Sequence, residues 1–270
     1  MSWTITYKGV ALDDTNGVTI EKVRETPSVK VKTGDLLGDG SVLERYSRGG
    51  RKVSISGIVK GSSTTELDAR VDALVEVMSD PAGGDLSLRS GRVLFSYPKV
   101  GSLELIKGAS NLAMTFSCDF YAEDAFWKNT TVTSASVTLS GSNVGTLTVT
   151  NAGTAPVKPL IRITQKSGTS GVRDPLSLAI VNLTMVEQEY IRITNGALGN
   201  TSDRIILDSE TETAYLENDS HASSKVPARI DGAFFPLLPG TNLLYLDALT
   251  TGGNLTVTLY YYTRFNSSGF

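Results

Sequence analysis

Arg51–Ser79 reads RKVSISGIVKGSSTTELDARVDALVEVMS and is followed by Asp80-Pro81-Ala82-Gly83-Gly84. Its second half carries every mark of one amphipathic helix. Ser63 and Glu66 form an S-x-x-E capping box, in which each side chain can satisfy a first-turn N–H. Leu67, Val71, Leu74, Val75 and Met78 recur at helical spacing and gather into one stripe, while Asp68, Arg70, Asp72 and Glu76 fall elsewhere. Asp80-Pro81 and Gly83-Gly84 then stop the helix, because proline moves its predecessor out of the helical region and glycine accepts positive φ. The pattern predicts a helix over about 63–79 and no other among the 270 residues. Burying five such side chains is worth on the order of 8–15 kcal/mol before entropy is subtracted, which makes the stripe core material rather than a partner groove.

Around this helix the chain reads as strands, and the predicted fold class is mainly β. Trp3, Ile5 and Tyr7 alternate with Ser2, Thr4 and Thr6. Short strands are expected at Val18 to Val23 and Val29 to Val31, followed by a mobile Gly- and Asp-rich loop from Thr33 to Gly40. Val42 to Arg48 and Lys52 to Val59 flank Gly49-Gly50 as a hairpin would. Ser90-Gly91-Arg92 signals a second hairpin, and a strand from Leu103 to Ile106 follows. Leu112, Met114, Phe116, Cys118 and Phe120 share one face of the clearest strand. After Trp127 the composition changes to polar, β-branched NTTVTSAS, which places a domain boundary within Lys128 to Ser136. Residues 1–130 are thus expected to form a β-barrel or β-sandwich domain with one helix. Residues 131–270, with about eight short strands between turn signals, are expected to form a β-sandwich or jelly roll.

Composition narrows the function classes. A net charge of −3 with scattered Lys and Arg offers no stripe for a phosphate backbone. The amino terminus alternates like a strand and lacks the basic and apolar regions of a signal peptide. No 18-residue apolar run is present to span a membrane. The lone cysteine, Cys118, sits on a strand's apolar parity as an inert thiol would, and His221 lies in polar ENDSHASSK. One Cys and one His do not make the usual zinc ligand set, and no Walker loop, G-x-S-x-G or HExxH occurs. The reading is therefore no enzyme, no cofactor and no metal. Asp203, Asp208 and Glu210 carry hard oxygens, yet hairpin ends carry such residues routinely. Tyr260, Tyr261 and Tyr262 on the last strand are the candidates for stacking on sugar rings.

The order of elements resembles the distal tail protein (Dit) family of long-tailed bacteriophages over essentially the whole chain. The matching pieces are GDGSVLERYSRGGRKVSISGIVKGSSTTELDARVDALVEVMSDPAGG and FSCDFYAEDAFW in the first half. In the second they are VTNAGTAPVKPLIRI, DRIILDSETETAYL, FFPLLPGTNLLYL and LTVTLYYYTRF. TGDLLGDG and HASSKVPARIDG depart from the family pattern. The resemblance implies a first domain that assembles into a homo-hexameric ring continuing the tail tube, and a galectin-like sandwich outside it. Such a ring is a structural virion hub, made in the host cytoplasm, that joins the tube protein to tail-tip and tail-fibre proteins. DNA passes through its lumen without sequence-specific binding. On this resemblance Gly34, Asp35, Leu36, Leu37, Gly38 and Asp39 are the candidate ring-contact loop. The alternative is a lectin-like adhesion protein for host saccharides, resting on Tyr260 to Tyr262.

Overall fold

The computed structural model describes residues 5–35, 41–89, 91–99, 101–108, 110–139, 144–165, 172–187, 189–198, 203–217, 226–249 and 254–268. The chain divides into two compact units, Met1–Thr130 with Phe265–Phe270, and Thr131–Arg264.

The first unit contains β1 (Ile5–Tyr7), β2 (Val10–Leu12), β3 (Val18–Asp35), β4 (Ser41–Lys60), α1 (Thr64–Ser79), β5 (Gly84–Arg89), β6 (Arg92–Pro98), β7 (Glu104–Lys107), β8 (Ala113–Ala122) and the start of β9 (Trp127–Leu139). Strands β3 and β4 pair antiparallel from Val18↔Val59 to Asp35↔Ser41, with register shifts after Ile20, Pro27 and Lys32. Strand β8 covers the far side of β4 only from Arg51 to Lys60. The other edge of β8 takes β7 and then the end of β6. Strand β6 also pairs with β5, β5 with β1, and β1 with β2, so β6 joins two runs of strands into one curved wall.

The helix closes this wall. Leu67, Leu74 and Met78 are no more than 4% exposed and pack with Tyr7, Val53, Ile55, Leu86, Phe116 and Phe120. Tyr7 and Phe120 meet edge to face at 4.9 Å between ring centres, a favoured aromatic arrangement. Ser63 caps the helix by accepting from the Glu66 N–H at 3.2 Å. The return arm of the capping box lands one residue early, since Glu66 accepts from the Ser62 N–H at 2.7 Å. Bonds from Ser62, with Arg70 nearby, hold the Glu66 carboxyl below its ordinary range.

Two sequence expectations are corrected here. Gly49-Gly50 is no hairpin turn, because both residues lie inside the continuous strand β4. A Cβ on Gly50 would stand 2.3 Å from the Ala122 carbonyl oxygen and 2.6 Å from the Tyr121 hydroxyl. Glycine is needed there for close strand approach, the other meaning glycine has inside a strand. Thr33 to Asp35 are likewise strand rather than loop, and β3 runs unbroken from Val18.

The second unit is a β-sandwich. It holds the rest of β9 and then β10 (Val144–Asn151), β11 (Leu160–Gln165), β12 (Val172–Asn182), β13 (Tyr190–Leu198), β14 (Arg204–Asp208), β15 (Thr213–Glu217), β16 (Val226–Pro227), β17 (Ile230–Gly232), β18 (Gly240–Leu249) and β19 (Leu255–Phe265). One sheet has the order β10-β18-β12-β13-β17, and the other runs β16-β15-β14-β11-β19-β9. Alternation builds the core: Leu147, Val149, Ile180 and Leu246 point inward from one sheet, Ile161, Ile205, Val257 and Leu259 from the other. Fully buried asparagines pin the strand ends. Asn242 accepts from the Leu238 N–H and donates to the Leu238 carbonyl, both at 2.8 Å, which fastens the Pro239-Gly240-Thr241 turn. Asn151 donates to the carbonyls of Ala155 and Leu237.

Both tryptophans, Trp3 and Trp127, belong to the first unit, so their fluorescence follows its unfolding alone. In urea, Leu74→Ala is expected to cost that unit about 2–5 kcal/mol by opening a cavity under α1. Ser63→Ala should cost only about 1 kcal/mol through the lost cap. Equal losses in the two variants would refute this account of the helix.

Candidate functional site

The feature of the first unit that has no use inside the unit is the outer end of the β3/β4 pair. Pairing with β8 stops at Arg51↔Ala122. Beyond Pro27↔Arg51 the two strands continue as a bare two-stranded arm through Val29↔Arg48 to Asp35↔Ser41. Among the described residues β3 pairs in a ladder with β4 alone, so its outer edge is open beyond Val18, whose N–H is taken by the Asp13 carbonyl. A two-stranded ribbon is marginal in water, and an open edge is a template for another strand. The edge is partly guarded: Glu21, Lys22 and Arg24 are exposed, and register shifts bracket Ile20 and Pro27.

The arm has a rigid root. Arg51 is only 3% exposed and must have partners, because an unpaired buried guanidinium is costly. Its Nη1 pairs with Glu25 Oε2 at 2.5 Å, its Nε donates to the Ala125 carbonyl at 2.9 Å, and its Nη2 donates to the Asn266 carbonyl at 2.6 Å. Glu25 also accepts from Trp127 Nε1 at 3.0 Å and from the Ser268 hydroxyl. One ion pair thus clasps β3, β4, the start of β9 and the carboxy-terminal segment. That segment is held again where the Arg92 guanidinium lies 3.7 Å from the centre of the Phe265 ring and donates to the Ser267 carbonyl at 3.0 Å. Between β4 and β8, Asp119 takes Lys52 and Ser54 at 2.6 Å each. Burial pushes the Asp119 carboxyl up, but those two bonds outweigh it and hold the group below its ordinary value.

The residues singled out from sequence fall as follows. Gly34 and Asp35 lie at the outer end of β3, opposite Val42 and Ser41, while Leu36, Leu37, Gly38 and Asp39 lie outside the described residues, as does His221. Tyr261 is buried and donates from its hydroxyl to the Thr150 carbonyl at 2.9 Å, with burial raising its pKa. Tyr260 and Tyr262 share the opposite face of β19, half-buried and exposed respectively. Asp208 accepts from the N–H groups of Glu210 and Thr211, Glu210 makes a two-pronged pair with Arg264, and Asp203 is buried. Among the described residues no group of three His, Cys, Asp or Glu is placed to hold a metal ion. Cys118 is buried and its thiol is pushed up to about 11, chiefly by desolvation. The long arm and its root escaped the sequence reading. The lone signal for the root was an arginine beside Gly49-Gly50, read there as a turn.

No protein-family model matches the chain, and no curated protein does. Among solved structures, the Dit protein (gp 19.1) of phage SPP1 superposes with a TM-score of 0.69 at 18% identity, over 97% of this chain and 99% of that one. This chain has the Dit fold. The SPP1 protein is described as a paradigm of the hub adsorption apparatus in phages that infect Gram-positive bacteria. Chains of the phage P2 baseplate in its activated conformation, with Ca and with Sr, align at 10% identity over 95% of this chain and 97% of theirs. Their TM-scores of 0.39 and 0.40 are too low to bear on the fold. Within the Dit fold, the arm is the part of this chain that the unit's own packing leaves unfinished.

Removing one member of a buried ion pair costs about 3–5 kcal/mol, because the other is left charged and unpaired. Arg51→Met is expected to lose stability of that order in tryptophan-monitored urea unfolding, and adding Glu25→Gln should restore part of it. Additive losses in the double variant would show that the two side chains do not act as a pair.

Proposed function

We propose that this chain is a structural subunit of a phage tail tip, a hub whose copies close into a six-membered ring. The ring continues the tail tube, lets DNA through its lumen and carries tip or fibre proteins; the chain is a scaffold, not an enzyme. One observation carries the reading, the open edge of β3 and the bare arm beyond Arg51. A ring of identical units pairs each free edge with a neighbour and leaves none over, which is how closed assemblies remove such edges. The Dit fold supports it, since the SPP1 protein of that fold is a hub component. The arm projects from a root stiffened by Arg51 and Glu25, as a contact that must be placed before its partner arrives would require.

At the dilute end of a concentration series light scattering should give six times the 28.8 kDa chain mass, and negative-stain microscopy six-fold rings with an open centre. Removing residues 33–40 and joining the strands with Asn-Gly should abolish rings and leave the urea midpoint unchanged. Rings that survive the deletion, or a wild-type chain that stays monomeric even when offered purified tail tubes, would sink the proposal.

A second reading, adhesion to host saccharides, is favoured by the placement of Tyr262, 47% exposed beside Tyr260 on one face of β19. Tyrosine fluorescence should then change on titration with host-wall saccharides, and Tyr262→Ala should remove the change. No response across a broad saccharide panel disposes of this reading.

A further inference from the structure

Two of the sheet ends in the second unit are guarded. At the end of one sheet β16 is two residues long and contains Pro227; at an end of the other, β17 is three residues long and contains Asp231. Short strands, proline and charge are the usual protections. The opposite end of that second sheet is β10, eight residues reading VGTLTVTN, paired to β18 without a single register shift. It has no charge and no proline. No charged residue occurs anywhere between Lys128 and Lys158, in a chain that is 20% charged.

The direction of its free backbone groups follows from β18. The Leu183 N–H bonds to the Leu243 carbonyl, so Leu243 faces β12, and the even-numbered residues Asn242, Leu244 and Leu246 face β10. Their partners across the pair are Val149, Leu147 and Gly145. Thr146, Thr148 and Thr150 therefore turn their N–H and C=O groups outward, where no described strand lies. The Thr150 carbonyl is taken by Tyr261, which ends the usable run. What stays open is Thr146 and Thr148, four backbone groups around Leu147.

We propose that β10 is a pairing edge for β10 of a second copy of this chain, antiparallel and centred on Leu147. Thr146 then bonds to Thr148 of the partner subunit and Thr148 to the partner's Thr146, four backbone bonds related by a two-fold axis. The strand is self-complementary in the terms such a contact needs. It presents no like charges to itself, its threonines meet as threonine pairs do in sheets, and Leu147 with Val149 already point into a core that the added strand continues. The contact uses the second unit alone and does not depend on ring closure by β3.

The test is amide hydrogen exchange on the full chain over a concentration series, beside sedimentation of wild type and Thr148→Pro. Proline at 148 removes an outward N–H and leaves the ladder to β18 intact, a position where strands tolerate it. In wild type, exchange at Thr146 and Thr148 should slow about tenfold or more as concentration rises, while Leu147 and Val149 stay protected throughout. The variant should lose that dependence, keep the wild-type melting temperature, and sediment as species of half the wild-type mass, whether the basic species is a ring or a single chain. Concentration-independent exchange at both threonines, or wild-type sedimentation by a folded Thr148→Pro, would overturn the proposal.

Discussion

Much of the first unit hangs on a single buried ion pair. Arg51 and Glu25 sit on neighbouring strands where the three-stranded part of the sheet ends and the two-stranded arm begins. A guanidinium that is 3% exposed is tolerable only if its donors are taken up, and here a carboxylate and two carbonyls from distant parts of the chain do so. The same geometry dictates the residue before it. Gly50 must lack a side chain so that the Ala122 carbonyl and the Tyr121 ring can approach, and that approach completes the last rung between β4 and β8. Charge satisfaction and steric clearance thus fix one point in space, and the arm extends from it.

The two units treat their edges differently, and the difference tracks their construction. In the first, the unfinished edge is long, interrupted by register shifts and decorated with exposed charge, features that admit only a partner matched to them. In the second, charge is absent from β9 beyond Lys128 and from β10, and the buried asparagines Asn151, Asn182 and Asn242 hold the strand ends instead. Neutral strands gain specificity from register rather than from charge, and β10 has a register without shifts.

The helix was legible because its determinants are local: cap, stripe and stop lie within about twenty residues, and the structure moves only one bond of the cap by one residue. The β-rich class and the sandwich core were legible for a related reason, since alternation reports burial strand by strand. What sequence reasoning missed was non-local. Gly49-Gly50 carries the same letters whether it turns a chain or clears room for Ala122, and only the partner strand decides between them. The candidate tyrosines show the same limit. Alternation separates Tyr261 from its neighbours but leaves open which face is the core; the Tyr261 hydroxyl on the Thr150 carbonyl resolves it. The partners of Arg51 at Ala125 and Asn266 carry no sequence signal, because they are backbone carbonyls.

The return of residues 265–268 to the first unit has a bearing on the order of synthesis. Chains fold in domains as they emerge, amino-terminal part first. Here the cluster around Arg51 lacks Asn266 and Ser268 until the whole second unit, Thr131–Arg264, has left the ribosome. Translation therefore acts as a checkpoint. A chain that stops before Asn266 carries an arginine short of a carbonyl and an arm on a loosened root, so synthesis of the second unit and stiffening of that root are completed by the same few residues.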